Sequence, residues 1–173
     1  MEKTVYIDGK PVVLRVSGGT LCRYKQQFGS EYLSDYRKIN CTKGTERIKA
    51  LETAGFRLVW ALAKTADSSV PEPSEWLKGF NDFKLSEIIT EAFSLIDMSL
   101  ACVKDSGGSD GREFTSENLV AGCLACGLSY EDIDSMPIGF LMNVIGEYCR
   151  IRTGKSKDKV VYRKATKADY DSF

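Results

Sequence analysis

The chain has 173 residues, 43% of them hydrophobic, and its 24 basic and 24 acidic side chains give a formal net charge of zero. These values are close to the average for globular proteins and argue against a nucleic-acid binder that works by bulk positive charge. Histidine is absent, which excludes Ser-His-Asp and Cys-His catalysis as well as histidine-containing zinc sites. An enzyme would have to use carboxylates, lysine, tyrosine or a lone cysteine, and the sequence contains no recognisable catalytic constellation of these residues. Our leading expectation is a protein that is not an enzyme, with no catalytic or metal-binding residues and no cofactor.

Neither a membrane segment nor a secretory signal is predicted. The longest stretch without a charged side chain lies within residues 118–130 and is interrupted by Gly122 and Gly127. It is well short of the roughly 20 residues that a membrane-spanning helix needs. The first residues lack a basic region followed by an apolar run, so we expect a cytoplasmic chain with reduced thiols.

The N-terminus has the pattern of a β-hairpin. Two runs rich in β-branched residues, 4–7 and 12–16, flank Asp8 and Gly9, and this pair tolerates the positive φ angles of a type I′ turn. Pro11 weakens the start of the second strand. An isolated hairpin is only marginally stable, so its apolar residues are expected to pack against the helices that follow.

Helical periodicity dominates the next 90 residues. Apolar residues recur at helical spacing in the segments 20–28, 30–39, 45–66 and 85–103. The helix 45–66 is predicted to be central, with Ile48 and Leu51 on the same buried stripe as Leu58 and Leu62. Residues 1–105 are thus predicted to form a hairpin plus a small helical bundle.

A second unit is predicted beyond a hinge. Residues 106–112 are rich in Gly and Ser and separate a nearly neutral segment from an acidic one. Residues 113–154 are expected to form three short helices, with Thr115 and Ser129 as N-caps. This unit has a small core and should need a partner or the first segment for order. Residues 155–173 are expected to be a flexible, charged tail. The predicted fold class is mainly α.

Three local motifs have a chemical and a structural interpretation. Cys123 and Cys126 have the spacing of a zinc or redox pair, but no second pair accompanies them, so buried apolar thiols are favoured. The acidic residues 131–134 lack the spacing of a calcium loop and are better explained as helix-cap charges. Gly18 and Gly19 lack the spacing of a phosphate loop and are interpreted as turn or hinge glycines.

The order of several motifs resembles the tail assembly chaperones of long-tailed bacteriophages and prophages of Gram-positive bacteria. Within residues 1–104 the similar motifs are the hairpin and residues 24–29 (YKQQFG), 55–64 (GFRLVWALAK) and 73–77 (PSEWL). Residues 115–120 (TSENLV) and 126–140 (CGLSYEDIDSMPIGF) resemble the extension of the longer product of that gene pair. In that family the extension is commonly reached by a programmed ribosomal frameshift.

The resemblance implies a non-enzymatic chaperone in the cytoplasm of the bacterial host, absent from the mature virion. Its implied partners are the tape measure protein and the major tail tube protein, with possible self-association and with neither nucleic acid nor membrane. The first unit would coat the tape measure protein, and the extension would recruit tube subunits. The candidate partner-binding residues are Trp60, Trp76, Phe80, Asp132, Asp134, Ile138 and Phe140.

Two other interpretations stay open on the sequence. Small helical units of this kind would also serve a structural head-tail or tail completion protein that remains in the virion. A thiol-dependent enzyme or a zinc protein built on Cys123 and Cys126 is the third hypothesis.

Overall fold

The structure is a computed structural model that describes residues 1–101 and 114–154. Within these residues a two-stranded hairpin is followed by helices, which confirms the predicted mainly α fold with an N-terminal hairpin. The predicted hinge 106–112 and the predicted tail 155–173 lie outside the described residues.

The hairpin consists of β1 (Glu2–Ile7) and β2 (Lys10–Arg15), which pair antiparallel with Val5 opposite Val12. Asp8 and Gly9 form the turn with φ angles of 51° and 73°, the left-handed region that a type I′ turn requires. One face of the hairpin is buried against the helices, and the other faces solvent.

Four helices follow the hairpin: α1 (Gly18–Phe28), α2 (Tyr32–Cys41), α3 (Gly44–Ala50) and α4 (Phe56–Ala66). Helix α4 is central because it contacts β2, α1 and α6 (Leu85–Leu100). Its residues Leu58, Val59 and Leu62 are completely buried. Gly29 ends α1 with a φ of 69°, in the left-handed region that favours glycine.

The predicted continuous helix over residues 45–66 is wrong in one respect. A π-helical turn at Leu51–Gly55 separates α3 from α4. This wider turn shifts the helical phase, because it closes hydrogen bonds over five residues instead of four. Ile48, predicted on the buried stripe, is consequently 56% exposed, whereas Ala50 and Ala54 are buried.

The first unit contains a cluster of aromatic side chains around helix α5 (Pro73–Lys78). This helix begins with a proline and presents Trp76, whose ring lies 5.3–5.9 Å from the rings of Phe56, Phe80 and Phe83. The following helix α6 ends at Leu100, and residues 102–103 of its predicted range lie outside the described residues.

The C-terminal helices are α7 (Ser116–Ala125), α8 (Tyr130–Ser135) and α9 (Ile138–Thr153). Both predicted N-caps are present, since the Thr115 hydroxyl accepts from the amide of Asn118 and the Ser129 hydroxyl from that of Asp132. Helices α7 and α8 contact α1, and α9 contacts α6. This small unit therefore buries its apolar residues against the first 101 residues.

Candidate partner-binding surfaces

Gly18 and Gly19 form the seat on which the C-terminal helices rest. The turn or hinge interpretation of these glycines is wrong, because both are buried at the start of α1. A Cβ atom on Gly18 would lie 2.7 Å from the carbonyl oxygen of Ile133, and one on Gly19 would overlap the Asp134 carboxylate. The Gly18 amide also donates to the carbonyl of Met136 at 3.1 Å. Glycine is required here for close approach between α1 and α8.

A bidentate ion pair flanks this seat. The Arg23 guanidinium donates to both carboxylate oxygens of Asp134, at 2.5 and 3.0 Å. The hydrogen bonds from Arg23 lower the pKa of the Asp134 carboxyl below its usual range. Both side chains are part-buried or half-exposed, so the pair specifies how α8 is oriented on α1 more than it stabilises the fold.

Further polar contacts connect α7 to the first unit. The Ser116 amide and hydroxyl both donate to the Glu31 carboxylate, at 3.0 and 2.7 Å. Lys25 pairs with Glu31 and also with Glu117 of α7. These bonds hold the pKa of Glu31 below its usual range although its partial burial acts in the opposite direction.

Of the three aromatic candidates of the first unit, the two tryptophans are core residues and Phe80 packs against the core. Trp60 is buried, donates its indole N–H to the carbonyl of Pro71 at 2.9 Å and packs edge-on against Phe28. Trp76 is buried within the aromatic cluster, and Phe80 is half-buried beside it. The structure brings Trp76 and Phe80 together and places Trp60 in a separate contact. Neither tryptophan offers a partner a free ring face.

Three of the four C-terminal candidates have structural roles. Asp132 closes the capping box of α8, since its carboxylate accepts from the Ser129 amide at 2.8 Å. Asp134 pairs with Arg23. Ile138 is completely buried, and its amide donates to the Ser99 hydroxyl at 3.2 Å.

The fourth candidate, Phe140, lies on a face of α9 that carries three apolar side chains. Phe140 is 49% exposed and Ile151 is 68% exposed. Val144, which is half-buried, and the exposed Glu147 lie between them on the same helix face. We name Phe140, Val144 and Ile151 the α9 stripe. Leu124 of α7 is also exposed. Sequence reasoning missed Val144 and Ile151, although their spacing from Phe140 is helical.

Among the described residues, the cysteines have no arrangement typical of a metal or redox site. Burial raises the pKa of the Cys123 thiol to about 11, which leaves it protonated and unreactive at neutral pH. Cys126 is partly exposed, and burial raises its pKa as well. Within residues 1–101 and 114–154, no group of three or more metal-ligating side chains is arranged around a possible ion.

The described part of the chain is thus a mainly helical protein with an N-terminal hairpin, and its α9 stripe is an exposed feature suited to protein contacts. None of the described helices has the combination of length and hydrophobicity needed to cross a membrane. Comparison with protein-family models, with curated proteins and with solved structures finds no match to this chain.

Proposed function

We propose that this protein is an assembly chaperone of a bacteriophage tail. In this role it binds the tape measure protein and recruits tail tube subunits, with no bond made or broken. The order of the sequence motifs supports the family, and the exposed α9 stripe supports the mode of action. An apolar stripe along a helix is the feature that amphipathic helices of a partner recognise.

The α9 stripe is the single observation on which the binding mode depends. Burying an exposed Phe or Ile side chain stabilises a complex by roughly 1–2 kcal/mol when about half of the side chain is already covered. Phe140 and Ile151 together would supply roughly 2–4 kcal/mol by this reasoning, or about 30- to 1,000-fold in affinity.

The test is co-purification of the full chain from bacteria that also produce a tape measure protein and a tail tube protein. Phe140→Ser and Ile151→Ser should each reduce capture of a partner. Tyr6→Ser is the matched control, because Tyr6 is 72% exposed on the outer face of the hairpin and lies far from α9 in the sequence. Equal loss in all three variants, or capture of neither partner by the native chain, would contradict the proposal.

Point variants test the α9 stripe more clearly than a truncation that ends at Lys104. Removal of residues 105–173 would uncover the face of α1 on which α7 and α8 rest, so a truncated chain would have a new surface as well as a missing one. Mass spectrometry of purified particles separates the chaperone from a structural protein retained in the virion, because only the latter remains in the mature particle.

A further inference from the structure

The cationic side chains of the protein differ in whether a neighbouring group compensates their charge. Most of those in the described residues pair with a carboxylate, donate to a backbone carbonyl or lie over an aromatic ring. Within the same residues, the cationic side chains that do none of these are Arg37, Lys38, Lys43, Arg47, Lys49 and Lys78. All but Lys78 fall within residues 37–49, and we name these the cationic ridge.

The ridge lies on an exposed part of the surface, since every residue from 43 to 49 is exposed. Helix α3 buries only Ala50, and Ile48 is an exposed apolar side chain among the cations of the ridge. Because the chain as a whole has no net charge, the uncompensated positive charge here is a local property. It attracts negative partners over about one Debye length, roughly 10 Å at 0.1 M salt.

A groove of about 380 Å³ lies between α2 and α3 on this part of the surface. Lys38 borders it from α2 and Lys49 from α3, while the nearly buried Ala50 and Ala54 line its bottom. Asp35 also lines the groove, but its carboxylate already accepts hydrogen bonds from the Tyr24 and Ser30 hydroxyls. Glu46 is the second acidic side chain of the lining, so the excess of positive charge at the groove comes from the ridge as a whole, whose five cations outnumber Asp35 and Glu46. Ala50 and Ala54 add small apolar surface.

The π-helical turn is part of this groove, since Thr53 and Ala54 belong to it. Turns of this type are rare and costly, and they occur frequently at functional sites. Here the turn places Ala54 beside Ala50 at the base of the groove and turns Ile48 outwards. The π-helical turn thus contributes two residues to the groove and accompanies the exposure of Ile48.

We infer that the groove and the cationic ridge bind an acidic, amphipathic helix of a partner protein. Small or apolar side chains of that helix lie against Ala50 and Ala54, and its carboxylates pair with Lys38 and Lys49. A nucleic acid fits less well, because Ala50 and Ala54 offer apolar surface and no aromatic ring lines the groove to stack on a base. This inference concerns a different surface from the α9 stripe and does not depend on the proposed function.

The probe is a fluorescein-labelled peptide of about 20 residues, long enough for helix formation, with Glu on one face and Ala and Leu on the other. Fluorescence anisotropy with the full chain measures its affinity at about 50 mM and about 300 mM salt, which brackets the screening of exposed charges. A peptide with Lys in place of Glu, and a single-stranded RNA of similar length, are measured beside it.

The double variant Lys38→Glu, Lys49→Glu is expected to weaken binding of the acidic peptide at least about tenfold at low salt, since two attractive contacts become repulsive. Lys78→Glu is the matched control, because Lys78 is an equally uncompensated lysine on α5, and it should change the affinity less than about twofold. Lys38→Gln, Lys49→Gln gives an intermediate loss and keeps the test valid should the charge reversal disturb the fold.

Three results would overturn the inference. One is the absence of peptide binding at low salt, and another is an equal loss in the Lys78→Glu control. Tighter binding of the RNA than of the acidic peptide is the third, because it would assign the ridge to nucleic acid.

Discussion

Ile138 and Ile151 allow the docking of the C-terminal helices to be tested with one residue type in one helix. Ile138 is completely buried where α9 meets α6, whereas Ile151 is 68% exposed near the end of α9. Replacing each with Ala removes the same three carbon atoms. The difference in the free energy of unfolding between the two variants therefore measures burial at this interface.

The magnitude follows from the burial. Removal of three buried carbons costs about 2.4 kcal/mol at about 0.8 kcal/mol for each, and the cavity that remains raises the total to roughly 3–4 kcal/mol. The hydrogen bond to Ser99 comes from the backbone of Ile138, so it survives the substitution. Ile151→Ala should change the free energy of unfolding by less than about 0.5 kcal/mol.

The assay is urea unfolding of the full chain followed by two probes. Trp60 and Trp76 are the tryptophans of the chain, and both lie in the first unit, so fluorescence reports that unit alone. Far-ultraviolet circular dichroism reports all helices. Coincident transitions would show that the C-terminal helices unfold with the rest, whereas separate transitions would show two cooperative units joined by a hinge. A cost for Ile138→Ala no larger than that for Ile151→Ala would refute the packing described here.

Three further predictions concern the same interface and the cysteine thiols of the chain. Gly18→Ala should lower the free energy of unfolding by about 1–3 kcal/mol, because the new Cβ meets the backbone of Ile133; a neutral effect in urea unfolding would contradict the close approach. The folded pKa of Asp134 is lowered by Arg23, so its contribution is present above the unfolded pKa and disappears as the pH falls through the folded one. Asp134→Asn should therefore reduce, by up to about 1 kcal/mol, the stability lost between pH 7 and about pH 3, and an unchanged pH profile would argue against the pair. Under native conditions iodoacetamide should modify the exposed Cys41 well before the buried Cys123, and mass spectrometry of the labelled peptides checks that order.

The sequence was sufficient for features that depend on local chemistry. The hairpin turn and the caps at Thr115 and Ser129 each follow from the conformational preferences of one or two residues. The π-helical turn at Leu51–Gly55 was not predictable, because nothing in its composition distinguishes it from an α-helix. Its presence reversed the environment of Ile48.

Contacts between residues far apart in the chain were also not predictable from the sequence. The seat at Gly18 and Gly19 depends on residues more than 110 positions later in the chain, and no local pattern identifies a glycine that is needed for close approach. The prediction of partner-binding residues failed for a related reason. Tryptophan is equally suited to a core and to a binding surface, so Trp60 and Trp76 could not be assigned from residue type alone.

The seat on α1 also has a consequence during synthesis. The ribosome completes Ala101 before it begins the helices that cover α1, and at about 5–20 residues per second the remaining 53 residues to Gly154 take roughly 3–10 seconds. During that interval Gly18, Gly19 and Leu21 of α1 are not yet covered by the C-terminal helices. A nascent or early-terminated chain that stops before residue 114 therefore presents, on this face, a surface that the finished protein conceals.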